Sequence, residues 1–201
     1  MAHTRAAASA ALLLASLAAF AGLAGFAGHS GIAASVQPVN EIVSPLAGLP
    51  VAKMVGEWRG KSWMTTPVGE RHGGEAVERA HWNLAGTAII IEGYGYSKDP
   101  ATGEITVGHD AIGIIEHDAR TDTISILARR NGAEFTRHTL TVEADPDAPG
   151  AEKMIWSPNP GSVRFTLHLT ADRWHEIGEW SRDGGKTWVE FMGVDLKPVS
   201  K

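Results

Sequence analysis

The chain of 201 residues contains no cysteine, and its formal net charge is only −5. Without cysteine there is no disulfide framework, so packing alone must hold the folded part together. The sequence also lacks the basic stripe that nucleic-acid binding requires, which argues against a nucleic-acid partner. No Gly-x-Ser-x-Gly motif or glycine-rich phosphate loop occurs. These absences exclude the commonest nucleophile and nucleotide-binding classes.

The nine histidines do not have the spacing of a metal site. No His-x-His or His-x-x-x-His pair occurs, and His109 and His117 are too far apart along one strand to hold the same ion. We therefore expect no metal cofactor; a site formed by histidines from different strands is the alternative.

The N-terminal segment has the composition of an export signal. Residues 6–27 consist only of Ala, Leu, Ser, Gly and Phe and follow Arg5. We expect a signal peptide over residues 1–34, cleaved between Ala27 and Ala34, and a periplasmic or secreted mature protein. The alternative is an uncleaved membrane anchor, because the apolar run is about long enough to span a bilayer.

Prolines at positions 38, 45 and 50 predict an extended leader over residues 35–50. Residues 51–201 then form one domain, long enough to bury a full core. Helical periodicity is absent from this part, apart from one expected turn of helix near Leu46 to Lys53.

Short β-type runs separated by turn residues fill the domain at the spacing typical of all-β folds. We predict about ten strands, joined by short links into an antiparallel up-and-down β-barrel with room for a small ligand. Asn131-Gly132 predicts a type I′ turn. The predicted strands cover residues 55–64, 73–83, 86–97, 106–117, 121–130, 133–144, 151–157, 162–170, 173–181 and 187–197.

One octet has the residue types that are typical of a β-hairpin. It reads Ser181-Arg182-Asp183-Gly184-Gly185-Lys186-Thr187-Trp188. Gly184 and Gly185 supply the positions that tolerate positive φ, and Asp183 can accept hydrogen bonds from the turn's own amides. The octet resembles the Asp-box of sialidases, but a single box in a chain too short for a propeller indicates a structural hairpin.

The first strand opens with Gly56-Glu57-Trp58-Arg59-Gly60. Together with the run from Trp174 to Trp180 and the final Phe191-Met192, this motif resembles a bacterial, often exported, lipocalin-like (calycin-type) β-barrel family of unknown function. It also resembles the nitrobindin-type haem barrels. The resemblance covers about Leu49 to Lys197 and implies a barrel whose Trp58 plugs one end, but it carries no settled reaction.

The resemblance to haem barrels implies an axial histidine on a late strand, which nominates His168 or His175. His168 alternates with the apolar residues of its strand, so it points to solvent if that apolar face lines the pocket.

Polar residues within apolar strands are the candidates for function, because burial disfavours them unless they are paired or serve a ligand. Glu92 shares a face with Tyr94, which could line the lumen, or it pairs with Arg79 or Arg59 in a structural ion pair. Glu176 shares a face with Trp174 and Trp180, where desolvation would raise its pKa, or it lies at the rim of a surface aromatic patch.

From these candidates we predict a barrel that binds a small, partly apolar molecule. The expected ligand-binding residues are Trp58, Arg79, Glu92, Tyr94 and Glu176. Three alternatives stay open: a barrel enzyme in which Glu92 or Glu176 moves a proton, a barrel that binds haem as its cofactor, and an interaction module of the cell envelope, including a homodimer.

Overall fold

The computed structural model describes residues 44–66, 68–146, 148 and 151–200. The predicted signal peptide and most of the leader lie outside these residues. None of the helices in the described ranges is long and apolar enough to cross a membrane.

Eleven antiparallel strands account for most of the domain, with a 3₁₀ helix at Pro50–Met54 before the first of them. The strands are β1 (Gly56–Thr65), β2 (Arg71–Asn83), β3 (Ala88–Lys98), β4 (Ile105–Asp118), β5 (Thr123–Arg130), β6 (Thr136–Thr139), β7 (Thr141–Ala144), β8 (Glu152–Asn159), β9 (Val163–Leu169), β10 (Trp174–Trp180) and β11 (Val189–Pro198).

The strands form one sheet in the order β6-β5-β4-β3-β2-β1-β11-β10-β9-β8-β7. Strands consecutive in sequence are neighbours in the sheet, except β6 and β7, which are its two edge strands; β1 also pairs with β11. The sheet curls into a nearly closed up-and-down barrel, which confirms the predicted fold class.

The predicted strand over residues 133–144 is two strands in the structure. Its first half, β6, pairs with β5, and its second half, β7, pairs with β8. Leu140 lies between them and donates its backbone N–H to the Ile124 carbonyl at 2.9 Å. The chain therefore crosses at Leu140 from one edge of the sheet to the other, which brings the two edges together.

Alternation along the strands separates core from surface. On β9, Leu167 and Leu169 are buried in the lumen while Arg164 and His168 lie outside. The runs of isoleucine on β3 and β4 follow the same rule, since Ile89, Ile91 and Ile115 are buried in the core.

One end of the barrel is closed by an aromatic pair and the short helix. Trp58 on β1 is 3% exposed, and its indole N–H donates to the Met54 carbonyl at 2.8 Å. Its ring lies 5.9 Å from that of Trp174 on β10. Val51 and Met54 of the helix are buried over this pair. The core of the protein is therefore concentrated at this end.

The predicted type I′ turn at Asn131-Gly132 is wrong. A type I′ turn needs positive φ at both central residues, and only Gly132 has it, at 76°. The Asn131 N–H instead donates to the Asp110 carbonyl at 2.7 Å. This bond holds Asn131 beside β4, and residues 131–135 form a longer loop between β5 and β6.

The octet from Ser181 to Trp188 forms the loop between β10 and β11. The Asp183 carboxylate accepts hydrogen bonds from Lys186 N, Thr187 N, Thr187 Oγ1 and Ser181 Oγ at 2.6 to 3.0 Å. Gly184 and Gly185 have φ of 75° and 90°. These bonds hold the pKa of Asp183 well below its usual range.

Replacing Asp183 with Ala should lower the melting temperature, because it removes four acceptor contacts that hold the β10–β11 loop. Asp183→Asn keeps one carbonyl oxygen, so its melting temperature should lie between those of the original protein and the alanine variant. Thermal unfolding followed by circular dichroism measures the order, and an alanine variant as stable as the original protein would contradict this role.

Candidate functional site

A cavity of about 520 Å³ lies inside the barrel. Met54 and Trp174 line the floor next to the closed end, and Arg130, Ala133 and Glu134 line the mouth at the opposite end. Most of the wall between them is apolar. The aliphatic and aromatic lining residues are Ile91, Ile115, Ile126, Leu140, Met154, Trp156, Val163, Phe165, Leu167 and Phe191.

Glu78 on β2 carries a carboxyl group into this apolar space. The residue is 9% exposed, and among the described residues no cation pairs with its side chain and no group hydrogen-bonds to it. Its register partner is Gly93 on β3. A Cβ atom on Gly93 would lie 2.8 Å from both carboxyl oxygens of Glu78. Glycine at this position therefore leaves the recess in which the carboxyl group lies.

Glu176 on β10 is the second carboxyl group that lines the cavity. It accepts a hydrogen bond from the Trp174 indole N–H at 3.3 Å. Burial raises the pKa of Glu176 to about 7. Burial also raises the pKa of Glu78 to about 8, with a further contribution from the charge of Glu176. The two groups are thus close enough to influence each other's ionisation.

Further toward the mouth the cavity is lined by His109, Glu134, His138 and Arg130. Burial lowers the pKa of His109, and the positive charge of Arg130 lowers it further. The charges of both signs are therefore at the mouth, while the floor carries only carboxyl groups.

The structure separates the five predicted ligand-binding residues into two groups. Glu176 lines the lumen, and Trp58 lies beneath its floor. Arg79, Glu92 and Tyr94 are exposed on the outside of β2 and β3. The expectation that the face of Glu92 and Tyr94 lines the lumen is wrong, because Ile91 and Gly93 occupy the inner positions of that strand.

On the outside, Arg79 and Glu92 face each other across β2 and β3 and line a shallow groove with Tyr94 and Phe135. Arg79 forms its ion pair with Glu57 at 3.2 Å. The Arg79–Glu92 or Arg59–Glu92 ion pair considered from the sequence is not among the ion pairs of the described residues.

The two histidines nominated as haem ligands lie on the outer face of the barrel. His168 Nδ1 hydrogen-bonds to the Asp145 carboxylate, and its ring lies 6.2 Å from that of His175. The His175 ring lies 6.0 Å from Trp63. The neighbouring residues Leu167, Leu169 and Glu176 take the inward positions, so neither histidine reaches the lumen.

Glu78 is not among the residues predicted from the sequence. A signal was present, because Gly74, Ala76, Glu78 and Ala80 alternate on one face of β2, and small residues around a carboxylate indicate limited space. Gly93 and Gly95 mark the same tight region on β3. Only the pairing of β2 with β3 shows that Gly93 lies opposite Glu78.

The arrangement can bind a small molecule through apolar contact and through two carboxyl groups that exchange protons near neutral pH. Among the described residues, no cluster of three or more His, Asp or Glu side chains could hold a metal ion.

Comparison with protein-family models gave no matching family, and comparison with curated proteins gave no match. The structure is similar to the crystal structure of Rv2717c from M. tuberculosis, with a TM-score of 0.58 and 9% sequence identity. The match covers 78% of this chain and 99% of that chain. At this identity the similarity shows the barrel fold alone.

The buried carboxyl groups predict an unusual pH dependence of stability. Glu78 keeps its proton up to about pH 8 in the folded state, whereas in the unfolded chain its pKa is near 4.5. Between these values unfolding releases a proton, so the free energy of unfolding falls as the pH rises. The contribution is complete below the unfolded pKa and is lost as the pH passes the folded one.

Glu78→Gln removes the ionisation and keeps the shape of the side chain. We expect this variant to melt higher than the original protein at about pH 8 and nearly the same at about pH 5. Glu92→Gln is the matched control, since it makes the same change on the exposed face. If the two variants have the same pH profile of melting temperature, Glu78 is not a buried neutral acid.

Proposed function

We propose that this protein binds a small, partly apolar molecule in the lumen of its barrel. The observation that carries the proposal is the cavity of about 520 Å³, apolar along its wall and bearing two carboxyl groups near its floor. This volume is within the range of small-molecule sites. The barrel fold supports the proposal, because a barrel of this size leaves room for one small ligand.

The polar groups inside the lumen favour a ligand site over a filled structural core. A carboxyl group in apolar surroundings destabilises the fold unless something compensates it. Glu78 has no such partner among the described residues, so its presence is explained by a ligand that supplies one. An interaction module with a packed barrel would gain stability from an apolar residue at this position.

Proton transfer is the second candidate function. Two neighbouring carboxyl groups with raised pKa values near 7 and 8 are suited to donate and accept protons at neutral pH. Of the two residues nominated from the sequence, Glu176 keeps this role in the proposal. Glu92 does not, because it is on the outer face.

The predicted export signal adds a cellular setting to this proposal. A periplasmic or secreted location would place the barrel where a small molecule could be captured and carried outside the cytoplasm. Co-fractionation of the native protein with the cell envelope or medium, and the mass of its mature N-terminus, test the location.

Blocking the lumen should abolish ligand binding. Ala128 on β5 lines the cavity, and Ala128→Trp would fill much of it. We expect the original protein to enhance the fluorescence of the uncharged probe N-phenyl-1-naphthylamine with one site per chain, and this variant to bind it at least about tenfold more weakly. Leu127→Trp places the same ring on the outer face of the same strand and should bind normally.

Melting temperatures of both tryptophan variants show whether the barrel remains folded. A second block, Ala111→Trp on β4, keeps the test valid if Ala128→Trp does not fold. Unchanged probe binding in a folded, blocked variant would overturn the lumen as the binding site.

A further inference from the structure

At about pH 8, where Glu176 is ionised and Glu78 begins to lose its proton, hydrogen-bond acceptors outnumber donors at the floor of the lumen. Glu78 and Glu176 bring four carboxyl oxygens into the cavity, and the indole N–H of Trp174 is the one donor that reaches them among the described residues. A ligand that occupies the floor must replace the hydrogen bonds that solvent gives these oxygens. The floor is therefore built for a ligand head group that donates.

We propose that the lumen selects an amphiphilic amine, whose ammonium group lies between Glu78 and Glu176 and whose apolar body extends along the wall toward the mouth. This inference rests on the proposed function and names the class of ligand. An ammonium group offers three N–H donors and a positive charge, which are the two features that the floor lacks.

The charge balance favours an amine over the other simple head groups. A carboxylate head, such as that of a fatty acid, would place a third acidic group beside two buried ones and would be repelled. A hydroxyl head could donate one hydrogen bond but would leave the carboxyl groups without a counter-charge. A single ammonium supplies a counter-charge in a space from which water is largely displaced.

The aromatic groups at the floor suit a cation as well. The Trp174 ring lines the cavity beside Glu176, and the Trp58 ring lies 5.9 Å behind it. Indole faces attract ammonium groups through the ring quadrupole. Phe165, Leu167 and Phe191 continue the wall above the floor and would contact an alkyl or aryl body.

Other titratable and charged groups face the site from neighbouring strands. His109 on β4 and His138 on β6 line the cavity nearer the mouth, together with Arg130 on β5 and Glu134. As the pH falls, the floor carboxyls gain protons and lose the negative charge that holds a cation. The amine should therefore be released on acidification.

The experiment compares three ligands that share one chain and differ in the head group: decylamine, decanol and decanoate. Calorimetric titration of the purified protein at about pH 8 measures each affinity directly. We expect decylamine to bind at least about tenfold more tightly than decanol, and decanoate to bind most weakly, because hydrogen bonds to charged groups are the stronger ones. Lowering the pH to about 5.5 should weaken the binding of decylamine by a similar factor.

Variants of the floor identify the groups responsible. Glu78→Gln and Glu176→Gln should each reduce the preference for decylamine over decanol, and the double variant should abolish it. Glu92→Gln on the outer face should leave the preference unchanged. Loss of the pH dependence in the double variant would show that it comes from the two floor carboxyls.

The outcomes separate the two proposals. Equal or tighter binding of decanol or decanoate overturns the amine inference but leaves lumen binding intact. Binding of none of the three compounds, together with no binding of N-phenyl-1-naphthylamine, overturns the proposed function itself. An amine preference that survives in the folded double variant overturns the role of the two carboxyl groups.

Discussion

The structure depends on burying ionisable carboxyl groups inside an apolar barrel. The residues around each carboxyl group leave it the space or the hydrogen bond that it needs. Glu78 lies against the bare backbone of Gly93, where any side chain would displace it. Glu176 lies beside the only indole N–H that reaches the floor within the described part of the chain. Such groups destabilise a fold when left ionised without a partner, and burial raises the pKa of Glu78 to about 8 and that of Glu176 to about 7, which favours their neutral forms at lower pH.

The two ends of the barrel differ in how closely they are packed. Trp58, Trp174 and the helix Pro50–Met54 pack closely at one end, and the largest fully buried side chains lie in the same core. The other end stays open as a cavity, where fewer apolar contacts are made. The two carboxyl groups lie at the boundary between these regions, where the packed core beside them supplies the stabilising contacts.

The sequence alone predicts where the strands lie, but it does not predict which face of each strand points into the barrel. Turn residues mark the strand ends directly, so each predicted strand has a counterpart, and only the crossing at Leu140 was missed. Ile89-Ile90-Ile91 is apolar on both faces, so alternation cannot say whether Glu92 points in or out. Pairing with β2 decides this, and it directs Gly93 inward against Glu78. Likewise, Asn131 is held by a bond to Asp110 that no local turn rule contains.

The most direct test is a carbon-13 NMR titration of the glutamate side-chain carboxyl groups, with Glu78→Gln and Glu176→Gln used to assign the two lumen signals. We expect midpoints near 8 for Glu78 and near 7 for Glu176. Midpoints for both residues near 4.5, the value of an exposed glutamate, would show that the lumen carboxyls are solvated or paired and would contradict the account.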